Sequence, residues 1–417
     1  MTARIRIALR LGLGQVLGRG ALALYTILMV RELTRADYGD FAYALALAGI
    51  WVSVGDAGFG RLIIRDVSRA AQPGSVVRDM LLVRASAAAV ATGTFALATA
   101  FGMFPFDERF AAALTAYMLL ETLSGGYEAA AVGSERPWRF VTAQAASAAA
   151  LAIAAVVIVR QQMPTPSGAM TGLTIASLVR AAVGWRLWRI TDRSERTRWR
   201  ELPALRWFRQ ALPFFGLVLL AAVYYRIGVV ALYTLRGPTE TAPYAAAMRV
   251  FDATAILGGI AFATVSPVIS RAHLNDPEAL WWLWKRMIAG VSLFAIPGAI
   301  LVAYFGPEIA NLLFGSAYRV ETGRALSLLA PGMALLILQN LTGSVVLMGD
   351  SHGSVLRLTA CNVGLATTMA LVLSERFGSE GAAVATSAAE LLSFTTFALL
   401  VRRRHRQLMR GAGSMPA

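Results

Sequence analysis

About twelve long apolar stretches, separated by short polar segments, dominate this sequence of 417 residues. Because a helix needs about 20 mainly apolar residues to cross the hydrocarbon core of a bilayer, each stretch is long enough to span a membrane. Charged residues make up only 15% of the chain and hydrophobic residues 57%, so lipid must be the solvent for most of its surface. The sequence therefore predicts an all-α integral membrane protein with transmembrane helices near 9–30, 40–59, 79–103, 110–132, 140–159, 169–188, 210–234, 243–267, 286–305, 325–348, 354–374 and 381–401.

The basic residues are concentrated on one side of these predicted spans. With the amino terminus in the cytoplasm, roughly 26 of them lie on the cytoplasmic side and about 8 outside, as the positive-inside rule requires. This asymmetry predicts a multi-pass protein of the bacterial inner membrane with both termini in the cytoplasm. The net charge of +15 does not indicate nucleic-acid binding, because the basic residues lie at span ends, where they contact anionic lipid headgroups.

One long charged segment, from Arg186 to Arg209, divides the apolar stretches into two sets of six. Its arginines are interleaved with tryptophans, a composition typical of an amphipathic segment at the membrane interface. We expect an N-terminal lobe over 1–190, a basic cytoplasmic linker over 191–209 and a C-terminal lobe with a basic tail over 210–417.

The two halves show internal similarity. Arg19 precedes Tyr38 by about the same distance as Arg226 precedes Tyr244, so each first helix places an arginine near mid-depth. Since six spans return the chain to its starting side, the halves would share one orientation and be related by a pseudo-two-fold axis along the membrane normal.

Two stretches carry a family resemblance. The first holds Tyr38-Gly39-Asp40-Phe41, then the turn Asp56-Ala57-Gly58, then a basic segment; the second is PEIANLLFGSAYRVETGRALSLLAPGMALLILQN. Both resemble the polysaccharide flippase family, whose superfamily also contains drug/cation antiporters and lipid II flippases. The resemblance implies a V-shaped, two-lobe, alternating-access transporter. It also implies the substrate, an undecaprenyl-pyrophosphate-linked oligosaccharide moved outward across the inner membrane. Which glycan is moved stays open among O-antigen, capsule, exopolysaccharide and a teichoic-type polymer.

Several arginines lie within the predicted spans. Each would cost roughly 2.5–3.5 kcal/mol if it faced lipid at mid-depth, so they must face other charges or an aqueous cavity. Because a guanidinium binds phosphate oxygens through two parallel hydrogen bonds, Arg19 and Arg226 are candidates for binding the pyrophosphate. The alternative is that each pairs with a carboxylate. Three further arginines could line the same cavity, although each also has a structural explanation, namely Arg249, Arg84 and Arg180.

Carboxylates also lie within the predicted spans. Glu121 and Glu128 are two turns apart on one helical face, and buried carboxylates can take up and release protons. Together with Glu390 and Asp252, they are candidates for ion coupling or for charge pairing with arginines. Asp56 is expected to cap backbone amides at the end of the second span.

The remaining features exclude several classes of function. The sequence has no Walker-type phosphate loop, and its three histidines and one cysteine lie where they predict neither a metal site nor a catalytic base. We therefore expect a protein that is not an enzyme and needs no cofactor. Three alternatives stay open: an ion-coupled drug antiporter of the same superfamily, a membrane enzyme such as a glycan polymerase, and a scaffold of an assembly complex. Protons or sodium are the candidate coupling ions, and polysaccharide polymerase or assembly proteins are the candidate partners.

Overall fold

The structure, a computed structural model, describes residues 2–69, 73–161, 164–189, 204–255, 277–349 and 352–412. Over these residues the backbone is helical apart from short connections, and it contains no strand. The chain divides into two compact units, Met1–Arg226 and Ile227–Ala417. The predicted all-α fold is confirmed.

The described residues of the first unit form eight helices, the last of which runs on into the second unit. They are α1 (Thr2–Glu32), α2 (Arg35–Asp56), α3 (Phe59–Val67), α4 (Pro73–Ala100), α5 (Glu108–Gly133), α6 (Pro137–Val159), α7 (Pro166–Arg189) and α8 (Ala204–Arg236). Of the predicted linker, residues 191–203 lie outside the described residues, and the remainder belongs to the start of α8.

The second unit contains the end of α8 and the remaining helices. They are α9 (238–255), α10 (Pro277–Tyr304), α11 (Gly306–Phe314), a single 3-10 turn (Ser316–Tyr318), α12 (Arg319–Gly349) and α13 (His352–Ala412). α13 is broken at Gly378, whose φ is 57°. This break separates the last two predicted apolar stretches.

Seven of the described helical segments are long and apolar enough to cross a membrane, or eight if the bent pair α2 and α3 forms one span. The chain is therefore a multi-pass membrane protein. Each predicted apolar stretch overlaps a described helix, although 243–267 is described only to residue 255. Helices α5 and α7 are not among the seven, and they carry the carboxylates and the arginine discussed below. The twelve-span count and the two-lobe arrangement remain predictions.

A bend of 46° separates α2 from α3. Ala57 and Gly58 produce it, because both have positive φ, 47° and 80°. A side chain at Gly58 would also collide with α8, since a Cβ there would lie 2.6 Å from the backbone nitrogen of Phe215. The sequence predicts only a basic segment after this turn. Helix α3 is too short to be a span, although its buried residues follow helical spacing: Phe59, Leu62, Ile63 and Val67.

Close packing joins α1 to α6 and α7. Gly14 and Gly18 are one turn apart on α1, and a Cβ on either would clash with Phe140 or Gln144 of α6. Small residues at this spacing let two membrane helices approach closely. Near the other end of α1, the Tyr25 hydroxyl donates a 2.6 Å hydrogen bond to the Ala169 carbonyl oxygen of α7. These contacts fix the position of Gln144, which reaches the ionic cluster described next.

Candidate functional site

An ionic cluster joins α5 to α7 in the first unit. Arg180 of α7 lies between two carboxylates of α5: it hydrogen-bonds Glu121 through Nη2, and its Nη1 is 3.5 Å from Glu128 Oε1. Ser177 Oγ donates to Glu121 Oε2 at 2.9 Å, and Gln144 Nε2 of α6 donates to Glu128 Oε1 at 2.9 Å. Because the two glutamates are two turns apart on one face, a single guanidinium contacts both.

A second ion pair lies where α2 approaches α4. The Arg84 Nη2 and Asp56 Oδ1 atoms are 2.6 Å apart, and Arg84 Nε also donates to the same oxygen at 2.8 Å. Arg84 is only 4% exposed. Asp56 also accepts a 3.2 Å hydrogen bond from the Gly60 amide, which confirms its predicted capping role. On α5, Gly126 lies against the Arg84 guanidinium, and a Cβ there would clash with it.

The Asp56–Arg84 pair is missed when each residue is considered separately. From the sequence, Arg84 is a candidate for lining the cavity, and Asp56 is expected to cap backbone amides. One signal in the sequence indicates the pair: Asp56 lies three positions and Arg84 five positions from the cytoplasmic ends of neighbouring predicted spans, and therefore at similar depth. Opposite charges at similar depth in adjacent spans are expected to pair, because each would otherwise lack compensation in lipid.

Arg19 lies on α1 with its side chain exposed. It is close enough to Glu128 to act on that carboxylate electrostatically, as Arg84 also does. Within the described part of the chain, however, Arg19 forms no hydrogen bond and no ion pair within 4 Å. The network around it contains equal numbers of acids and bases, namely Asp56, Glu121 and Glu128 with Arg19, Arg84 and Arg180.

Arg226 lies on α8 and is half-buried. Its guanidinium packs against α2, because a Cβ added to Gly49 would lie 3.2 Å from Arg226 Nε. Glycine at this position of α2 therefore leaves room for the arginine side chain.

The predicted charges of the second unit lie on two helices, Arg249 and Asp252 on α9 and Glu390 on α13. On α9, Arg249 Nη1 is 3.7 Å from Asp252 Oδ2, and Arg249 Nε donates to the Ala245 carbonyl oxygen at 3.4 Å. Both contacts are within one turn of the same helix. Glu390, on α13, is only 1% exposed and lies one turn before Ser393. Ser393 Oγ accepts a 2.9 Å hydrogen bond from Gln339 Nε2 of α12.

In each unit a serine forms a side-chain hydrogen bond that bridges two helices, to a carboxylate in the first unit and to an amide in the second. In the first, Ser177 of α7 contacts Glu121 of α5. In the second, Ser393 of α13 contacts Gln339 of α12, the position near which Glu121 falls in the predicted repeat. A further neutral bridge, from Asn362 Nδ2 to Thr396 Oγ1 at 3.0 Å, holds the two halves of α13 together.

No group of three or more His, Cys, Asp or Glu side chains could hold a metal ion within the part of the chain that the structure describes. The carboxylates of Asp56, Glu121 and Glu128 contact arginine, serine and glutamine side chains instead. Their arrangement can position helices and hold charge within the membrane, and it leaves Arg19 exposed.

The fold matches that of known membrane transporters. An inward-facing multidrug resistance MATE family transporter of the MOP superfamily superposes with a TM-score of 0.77 and 16% identity, over 97% of this chain and 99% of that one. The lipid II flippase MurJ, in an inward closed conformation, gives 0.71 and 12%, over 95% and 87%. A MOP superfamily transporter from Pyrococcus furiosus, described as having a binding pocket of reverse polarity that suggests a different function, gives 0.58 and 14%, over 98% and 96%.

Sequence comparison assigns the family. No curated protein matches the chain significantly. The profile described as "Polysaccharide biosynthesis protein" matches residues 6–273, which is more than half of the chain. The predicted family is thereby confirmed, and the chain belongs to the polysaccharide biosynthesis protein family, with the fold of MOP superfamily transporters.

Proposed function

We propose that the protein is a flippase, which moves an undecaprenyl-pyrophosphate-linked oligosaccharide from the cytoplasmic to the outer face of the inner membrane for surface polysaccharide synthesis. Membership of the polysaccharide biosynthesis family and the transporter fold support this proposal. The observation that carries it is the position of Arg19. Its side chain is exposed on α1, while Arg84 and Arg180, the two arginines that lie near it, are held by carboxylates.

The chemistry of the substrate explains why an exposed arginine matters. A pyrophosphate carries its negative charge on oxygens that match the donor geometry of a guanidinium, so arginine binds it more specifically than lysine. Arg19 is the first candidate for this contact, and Arg226, which packs against Gly49, is the second. Arg84, Arg180 and Arg249 already contact carboxylates, so we assign them to positioning helices and to the electrostatic environment.

The test is the distribution of lipid-linked oligosaccharide across the inner membrane in a deletion strain complemented with variants. We expect Arg19→Ala and Arg226→Ala to leave the lipid-linked glycan on the cytoplasmic face, and Arg19→Lys to restore part of the export. Arg324→Ala is the matched control, because Arg324 is 66% exposed and its carboxylate partner Glu380 is also on the surface. If both alanine variants exported glycan normally at wild-type protein levels, the assignment of these arginines would be wrong.

An ion-coupled drug antiporter is the second candidate, favoured by the pair of carboxylates on one face of α5. The contacts of that pair weigh against cation transport, because Arg180 contacts both Glu121 and Glu128. Efflux of a cationic dye that is lost in Glu121→Gln, with normal glycan export, would favour the antiporter. The proton gradient and the sodium gradient are then collapsed separately in the same assay, and the gradient whose loss stops dye efflux identifies the coupling ion.

A further inference from the structure

We propose that α10 and α13 form a binding site for the headgroup of an anionic phospholipid. The site consists of aromatic and basic side chains near the start of α10 and near the end of α13, and we call it the tryptophan–arginine patch. Its members are Trp281, Trp282, Lys285 and Arg286 of α10, with Arg402, Arg403, His405 and Arg406 of α13.

Trp281 is the centre of the patch. The His405 ring stacks on it almost parallel, with ring centroids 4.8 Å apart and an interplanar angle of 7°. Lys285 Nζ lies 4.8 Å from the centroid of the same indole and 5.0 Å from that of Trp282, both within cation–π distance. One indole therefore connects the two helices, and two indoles hold one ammonium group.

The three tryptophans of α10, Trp281, Trp282 and Trp284, form an aromatic row that is buried at one end and exposed at the other. Trp284 stacks on Trp281 with centroids 5.1 Å apart, is 9% exposed, and donates from Nε1 to Thr342 Oγ1 of α12 at 3.4 Å. Trp282 is 55% exposed. Because its other end is buried, the row holds the exposed indole of Trp282 rigidly at the surface. Tryptophan adopts this arrangement at the headgroup level of a bilayer.

The cations of the patch lack protein counter-ions. Lys285, Arg286, Arg402, Arg403 and Arg406 are all exposed, and none of these five forms an ion pair with a carboxylate in the described part of the chain. The buried Nδ1 atom of His405 likewise has no hydrogen-bond partner among the described residues. An anion is therefore the complementary ligand.

A phospholipid headgroup is the anion that fits this position. Basic residues close to an anionic leaflet attract its lipids, and long basic side chains beside tryptophan are typical of helix ends at the interface. Trp281 is in the second turn of α10, and His405 is within the last turns of α13, so the patch lies at two helix ends that share one contact. A phosphate there would contact guanidinium groups while its acyl chains stay in the bilayer.

Lys285 allows a direct test, because it is the only lysine of the chain. The full-length protein is placed in nanodiscs of phosphatidylcholine, with or without phosphatidylglycerol, and the rate of reductive methylation of Lys285 is followed by peptide mass spectrometry. We expect phosphatidylglycerol to slow methylation by about fivefold, which corresponds to about 1 kcal/mol. Equal rates in the two membranes would overturn the proposal.

Two charge-matched variants separate a specific site from the general surface potential of an anionic bilayer. Arg402→Gln/Arg403→Gln/Arg406→Gln removes three patch cations but keeps Lys285, whereas Arg319→Gln/Arg324→Gln/Arg376→Gln removes three exposed arginines elsewhere in the unit. Protection of Lys285 should be lost only in the first variant, with both variants monodisperse. Equal protection in both would contradict a specific site.

A prenyl pyrophosphate added to phosphatidylcholine nanodiscs distinguishes the two sources of phosphate. Weaker protection than with phosphatidylglycerol supports a phospholipid site. Stronger protection would overturn the assignment to phospholipid, because the patch would then bind the lipid-linked substrate class. Neither result depends on the proposed flippase activity, since methylation is measured without transport.

Discussion

Single ion pairs of this protein differ in their surroundings far more than in their geometry. Asp56–Arg84 and Arg324–Glu380 each join one carboxylate to one guanidinium, at 2.6 Å and 3.3 Å. Arg84 is buried against glycines of α5, whereas the Arg324 and Glu380 side chains are 66% and 46% exposed. Removing one partner therefore has different consequences, because only the buried pair leaves a charge that water cannot solvate.

Asp56→Ala should lower the stability of the folded protein by about 3–5 kcal/mol, the cost of leaving a buried charge uncompensated. Glu380→Ala should cost less than about 1 kcal/mol, because the exposed partner remains hydrated. Both are measured as unfolding of the purified protein in mixed micelles. Similar losses in the two variants would show that the Asp56–Arg84 pair is not buried as described.

The Arg180 cluster makes a second prediction at this scale. Arg180→Met leaves Glu121 and Glu128 without the cation that they share, so we expect a large loss of stability. The triple variant Arg180→Met/Glu121→Gln/Glu128→Gln should recover most of that loss, because it replaces the ionic bridge with a neutral one, as in the Gln339–Ser393 bridge of the second unit. Thermal unfolding of the two variants decides the question, and a triple variant no more stable than the single one would contradict the explanation.

Among the helices, α1 shows how much depends on which face a glycine occupies. Gly14 and Gly18 face α6, where a Cβ would clash with Phe140 or Gln144. Gly12 and Gly20 have no atom within 4 Å of such a Cβ. The four glycines are close together in the sequence, and only the packing of α1 against α6 makes them different.

Gly18→Ala should therefore destabilise the first unit, since either α1 or Gln144 must move and the hydrogen bond to Glu128 is then lost. Gly20→Ala is the matched control and should be neutral or stabilising by up to about 1 kcal/mol, because alanine is the better helix former. Thermal unfolding in detergent compares them. A neutral Gly18→Ala would contradict the close approach of α1 and α6.

The distribution of charge predicts how the whole molecule is oriented across the membrane. Loops rich in arginine stay in the cytoplasm during insertion, which predicts that both termini and the segment after α7 are cytoplasmic. The connection between α4 and α5, over 101–107, should then be outside, because one span separates it from the preceding basic segment.

Reporter fusions test this topology. Alkaline phosphatase fused after residue 103 should be active, whereas the same enzyme fused after residue 189 or at the carboxyl terminus should be inactive. Green fluorescent protein fused at either of these last two positions should fluoresce. An active phosphatase at the carboxyl terminus would contradict an even number of spans. The result also bears on the flippase proposal, since Arg19 must be accessible to a substrate that enters from the cytoplasm.

The sequence by itself determined the helical class, the approximate bounds of the apolar helices and the family. These follow from hydrophobic length and short motifs, which are properties of consecutive residues. It also indicated that Glu121 and Glu128 share a face, because helical periodicity fixes that relation within one element.

Only the tertiary structure decided which charges meet. Arg84 contacts Asp56 from another helix, Arg180 contacts both glutamates of α5, and Arg19 stays exposed. The bend at Gly58 and the Trp281–His405 stack likewise depend on residues far apart in the chain. The physical reason is that membrane insertion sorts segments by composition, whereas the pairing of buried charges depends on the rotation and depth of each helix against its neighbours, which no single segment specifies.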